Sequence, residues 1–181
     1  MRFQNPVIVI PGITATDLVD DYPLKTDEIW TMLFNKEYDR VALHPDDLRY
    51  EAVEPAHVVA GQLFPIYNDL IRALRHELSE RADRPTPVFA FPYDWRMDVR
   101  STATRLGDFI DEVIARTRLL RHYAKADDLA VDLVGHSMGG LVITEYLAQR
   151  GRRSRVGKVV TIGTPYLGSI EAIVKITTGM S

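Results

Sequence analysis

Short apolar runs alternate with amphipathic stretches along most of this chain. Val7-Ile-Val-Ile10 is a continuous β-branched run with polar flanks, as expected of a buried parallel strand, and Pro11-Gly12 forces a loop after it. Leu63, Tyr67, Leu70, Leu74 and Leu78 recur three or four apart and predict one apolar helix stripe over 63–78. Pro85 and Pro87 stop that pattern, and Val88-Phe-Ala-Phe91 reads as a second short strand ended by Pro92. Leu106, Phe109, Ile110, Val113 and Ile114 mark one side of a second helix over 102–120. Ala130-Val-Asp-Leu-Val134 reads as a third strand, Leu141 to Gln149 as a helix closed by Gly151, and Lys158-Val-Val-Thr-Ile162 as a fourth strand. Between residues 14 and 60 the periodicity is weak, and no element is assigned there. Strands alternating with helices predict right-handed crossovers and a parallel sheet, an α/β fold. Core packing is the plain reading of every stripe named.

The sharp turn after the third strand carries the chemistry. Gly135-His136-Ser137-Met138-Gly139 matches the nucleophile pattern G-x-S-x-G. Alone the pattern is weak, arising by chance roughly once in twenty chains of this length. Its place between a strand and a helix makes it specific, because a serine hydroxyl must project from a tight turn to meet a base and a carbonyl carbon. The helix that follows adds N–H donors and positive dipole near a developing oxyanion. Ser137 is thus the expected nucleophile, and Met138 N–H one oxyanion donor by position. The second donor should come from the loop after an earlier strand. Ile13 N–H is the candidate, although Pro11-Gly12 as a mere chain reversal also fits. His136 adjoins the nucleophile on the wrong side for a base and is expected to be a packed flanking residue.

With Ser137 placed, the chain resembles the lecithin:cholesterol acyltransferase family. Four stretches carry the likeness: Pro6-Val-Ile-Val-Ile-Pro-Gly12, Phe91-Pro-Tyr-Asp-Trp-Arg96, Gly135-His-Ser-Met-Gly-Gly140 and Thr161-Ile-Gly-Thr-Pro-Tyr-Leu-Gly-Ser169. The resemblance implies an α/β-hydrolase fold and ester-linked acyl groups of lipids as substrates, passed through an acyl-enzyme to water or an alcohol. It also implies a structural ion pair between Asp94 and Arg96 beside the active-site wall, against the alternative of an ordinary surface pair. Trp30, Met32, Leu33 and Phe34 are open to two readings: transient contact with a membrane surface, or the commoner packing beneath a loop.

The chain departs from the family where the acid and base should follow the nucleophile. After Ser137 there is no His and no Asp, only Glu145 and Glu171. Residues 1–181 are therefore expected to form a single partial α/β-hydrolase domain, an amino-terminal portion lacking the last strands, weakly active or inactive alone. A general carboxylesterase on soluble esters and a non-catalytic fragment are the alternatives.

Composition changes this picture little. Lys and Arg number 22 against 25 Asp and Glu, a net charge of −3, which argues against nucleic acid as a partner. The chain has no Cys, and its five His show no ligand spacing, so no metal or other cofactor is expected. No protein partner is indicated. The apolar run after Met1-Arg-Phe-Gln-Asn-Pro6 is too short for a signal-peptide core, and no run approaches the ~20 residues that span a bilayer, so a cytoplasmic location is expected.

Overall fold

The computed structural model describes residues 4–22, 25–34, 36–53 and 56–178. Met1 to Phe3 of the amino terminus lie outside them. Its centre is a four-stranded, wholly parallel sheet. The elements run β1 (Val7–Ile10), β2 (Thr16–Asp20), β3 (Asp27–Trp30), α1 (Tyr38–Val41), β4 (Leu43–His44), β5 (Asp47–Glu51) and β6 (Val58–Leu63). They continue with α2 (Tyr67–Leu78), β7 (Val88–Ala90), α3 (Val99–Arg118), β8 (Val131–His136), α4 (Met138–Arg150), β9 (Val156–Ile162) and α5 (Ile170–Thr178). In the central sheet the order is β7-β1-β8-β9. This is the α/β architecture of the hydrolases, with helices on both faces.

Alternation along β1 divides the core. Ile8 and Ile10 face α3 and α4, packing with Leu106, Ile110, Leu133, Val142 and Ile143. Val7 and Val9 face α2 with Tyr67, Val88 and Val134. Burial of each such side chain contributes about 1.5–3 kcal/mol, and all four residues of β1 are buried. That double-sided burial explains the unbroken apolar run.

Several boundaries differ from those expected from sequence. The helix expected from residue 63 begins at Tyr67, because Pro65 favours an extended Phe64, and Leu63 closes β6 instead. Helix α3 starts at Val99, where Asp98 accepts the Ser101 N–H at 2.9 Å and Ser101 Oγ at 2.6 Å. Strand β8 runs through Gly135 and His136, and α4 begins immediately after Ser137.

The stretch without readable periodicity forms an antiparallel sheet, β3-β2-β6, and a β4-β5 hairpin. Its inward positions are partly polar. On β2 the buried residues are Thr16, Leu18 and Asp20, and Asp20 meets Arg40 at 3.2 Å. Leu18, Ile29, Trp30 and Val58 make a small separate core, and Trp95 bridges it to the main one. At the other end, β9 pairs only with β8 among the described residues, and Val159, Val160 and Ile162 are exposed on it.

Candidate functional site

Ser137 occupies the single-residue junction between β8 and α4, with φ 51° and ψ −123°. A side chain at such angles is strained by about 1–3 kcal/mol and persists only where its surroundings hold it. Here the Ser137 N–H donates to Ile162 O at 2.9 Å, and the Gly140 N–H donates to Ser137 O at 3.1 Å. The neighbouring glycines are required by close approach. A Cβ on Gly139 would lie 2.3 Å from Ile10 O and 2.6 Å from Pro11 O, so the start of α4 presses on the end of β1. On Gly140 it would lie 2.0 Å from Thr164 Oγ1.

The loop after β1 comes to the same turn. A Cβ on Gly12 would stand 3.1 Å from Ser137 Cβ and 3.3 Å from His136 Nδ1. Tyr93 donates its hydroxyl to Pro11 O at 3.0 Å, and Tyr67 Oη accepts the Gly12 N–H at 3.1 Å. Thr14 has φ 59°, and the Ala15 N–H reaches back to Gly12 O at 3.4 Å, so residues 12–15 form a reverse turn. Ile13 sits exposed at its crest, and its N–H has no hydrogen-bond partner among the described residues. Met138 opens α4, so its N–H has no intrahelical partner either.

His136 is anchored rather than buried. Its Nδ1 lies 2.6 Å from Tyr67 Oη and its ring meets the Tyr67 ring edge-on at 5.8 Å, yet the residue stays exposed at the end of its strand. Burial raises the Tyr67 phenol above its usual range, and the Gly12 N–H opposes that shift. Sequence reading placed Tyr67 only on the helix stripe; its hydroxyl bonds to residues 55 and 69 positions away, which no local pattern signals.

Asp94 and Arg96 are deeply buried, not a surface pair. Arg96 Nη2 meets Asp94 Oδ2 at 2.7 Å and Glu51 Oε1 at 3.2 Å, and Nη1 donates to Val41 O at 3.1 Å. Desolvation works against the guanidinium charge, but Asp94 and Glu51 outweigh it and hold the pKa above its usual value. The cluster fastens α1 and β5 to the loop after β7. Glu51 escaped sequence reading because its strand exposes Leu48 and Tyr50 while turning its acid inward.

Among the described residues no hydrogen bond reaches Ser137 Oγ. The other histidines are engaged elsewhere: His57 with Asp21 at 2.6 Å, His122 with Pro85 O at 3.1 Å, His76 with Glu77 at 3.1 Å, and His44 with the Asp46 N–H at 3.2 Å. Glu145 lies 3.7 Å from Arg100 on the outer part of α4. Trp30 joins the small core, whereas Leu33 and Phe34 are exposed, Phe34 by 90%. No three His, Cys, Asp or Glu among the described residues group as metal ligands, and no helix there is long and apolar enough to cross a membrane.

A family model described as lecithin:cholesterol acyltransferase matches residues 40–181, well over half of the chain. The chain belongs to the lecithin:cholesterol acyltransferase family. The matched range takes in the buried Asp94-Arg96 pair, the Ser137 turn and the Gly163-Thr-Pro165 segment, while β1 and the Gly12 loop lie before it. No curated protein matches the chain. Membership in this esterase and acyltransferase family agrees with the parallel sheet and the strand-turn-helix placement of Ser137.

Proposed function

We propose that the chain carries the nucleophile and oxyanion donors of a serine-dependent acyl transfer from lipid esters. The observation behind this is the strained Ser137 at the β8–α4 junction, with the Gly12 loop packed against it. Ser137 Oγ attacks the ester carbonyl carbon, the carbonyl oxygen becomes an oxyanion, and the N–H groups of Ile13 and Met138 receive it. Collapse of the intermediate expels the alcohol and leaves the acyl group on Ser137. Water or a second alcohol then attacks that ester and releases the acyl group, restoring the serine.

Both steps need a base for the proton of the attacking hydroxyl, and the described residues bring no imidazole to Ser137. His136 commits Nδ1 to Tyr67. Oxyanion donors without a base leave roughly 10³–10⁴-fold acceleration over water, far below a complete triad. The exposed Leu33 and Phe34 favour a lipid surface over a freely soluble ester.

Turnover of p-nitrophenyl butyrate and of phospholipid vesicles, each with and without added imidazole, tests the proposal. Free imidazole should supply the base that the described residues do not bring to Ser137, so turnover above the rate with imidazole alone should rise with its concentration, and more on vesicles. Ser137→Ala should abolish the rise. Turnover above the rate with imidazole alone that survives Ser137→Ala would overturn the assignment. Strong turnover without imidazole, lost in Ser137→Ala, would show that one of the chain's own histidines reaches the serine.

A further inference from the structure

The nucleophile turn and the oxyanion loop belong to segments about 120 residues apart, and one hydroxyl touches both. Tyr67, the first residue of α2, is 6% exposed. Its oxygen accepts the Gly12 N–H at 3.1 Å and lies 2.6 Å from His136 Nδ1. A phenol has one proton to give. Donated to His136 Nδ1, which lies nearer than any other acceptor given to it, that proton would leave the imidazole proton on Nε2.

We propose that Tyr67 is a positioning residue whose hydroxyl clamps the loop at Gly12 to the turn at His136, leaving Ile13 N–H as a free donor on the loop. This rests on the reading of Ser137 and Ile13 given above. Satisfying the Gly12 N–H fixes the Pro11–Gly12 peptide plane, while Tyr93 holds Pro11 O at the same plane's other end. The next N–H along the chain then points where neither tyrosine uses it. Tension on the clamp from the nucleophile side acts through His136, the residue bonded directly to Ser137. Glycine suits position 12, since a Cβ there would crowd Ser137 Cβ and His136 Nδ1 at 3.1 and 3.3 Å.

Tyr67→Phe removes the hydroxyl and keeps the ring, which packs with Val7, Val9 and Val88. In the full chain, ring ¹⁵N shifts of His136 should show the Nε2–H form in the wild type. In the variant that preference should be lost, and amide exchange at Gly12 should quicken at least tenfold. Labelling of Ser137 by a fluorophosphonate should slow about tenfold in its maximal rate, with the half-saturating probe concentration unchanged. An Nδ1–H ring in the wild type would overturn the proposal, and that measurement needs no variant to fold. Unchanged Gly12 exchange in Tyr67→Phe would overturn it too, as would altered exchange with unaltered labelling. The two NMR readouts do not depend on turnover, so an error in the assignment of Ser137 would appear separately, as labelling that survives Ser137→Ala.

Discussion

Replacing Gly139 by alanine should silence Ser137 more than it unfolds the chain. The added methyl would sit 2.3 Å from Ile10 O and 2.6 Å from Pro11 O, where real Cβ contacts stay beyond 3.0 Å. The start of α4 and the end of β1 must therefore part by ~0.7 Å or more, and a misplacement of about 1 Å can cost on the order of a hundredfold in rate. Both proposed oxyanion donors lie on these two segments, Met138 on α4 and Ile13 just past β1. The stability terms partly cancel: overpacking costs about 1–3 kcal/mol, and alanine inside a helix recovers about 1 kcal/mol over glycine. The variant should unfold a few degrees early yet react with a fluorophosphonate about a hundredfold more slowly. Gly168→Ala is the control, because its Cβ would meet nothing within 4 Å although its φ of 92° strains any side chain. A folded Gly139→Ala variant that labels within about twofold of wild type would refute the reasoning that fixed geometry at this contact governs reactivity.

Three further outcomes follow from the geometry. Arg96→Met leaves Asp94 and Glu51 facing each other with 4% and 8% of their side chains exposed; breaking such a pair costs about 3–5 kcal/mol. At ~2–4 °C per kcal/mol for a chain of this size, calorimetry should show Tm falling by at least about 6 °C, and a fall under about 2 °C would contradict the burial argument. Burial holds the phenols of Tyr67, Tyr93, Tyr123 and Tyr146 above the usual value of 10.0. Above about pH 10 the unfolded chain therefore gives up protons that the folded chain keeps, so stability present below that pH falls as pH rises. Thermal unfolding followed across that range should show the decline, shallower in Tyr93→Phe. Ile13→Pro removes one oxyanion N–H, worth roughly 2.7–4 kcal/mol of transition-state stabilisation, whereas Ile13→Val should label normally because the exposed side chain takes no part. Circular dichroism must first show the proline variant folded.

The parallel sheet was legible because its two central strands are buried on both faces, which writes β1 as an unbroken apolar run and β8 as one interrupted by Asp132. Ser137 was legible because a five-residue pattern sits where strand meets helix. The β3-β2-β6 sheet was not, because its inward side chains include Thr16 and Asp20, and Asp20 finds Arg40 only in the folded chain. The expectation for Trp30, Met32, Leu33 and Phe34 divided in two for a related reason. Trp30 packs against Trp95, 65 residues on, and Leu33 and Phe34 stay outside. Asp94 and Arg96 could be paired from sequence through the family resemblance, but Glu51 could not, since its contact spans 45 residues. One local signal was available and passed over: Asp98 three residues before Ser101 marks the start of α3, earlier than the apolar stripe does.

Mapping the site of a fluorophosphonate adduct tests the central claim most directly. The wild-type chain, treated to completion and digested, should carry one adduct, on the hydroxyl of Ser137 between Val134 and Leu141. Added imidazole should speed its formation, and Ser137→Ala should carry none while unfolding at nearly the wild-type temperature. An adduct on another residue, or equal labelling of the folded alanine variant, would contradict the assignment of Ser137 as nucleophile.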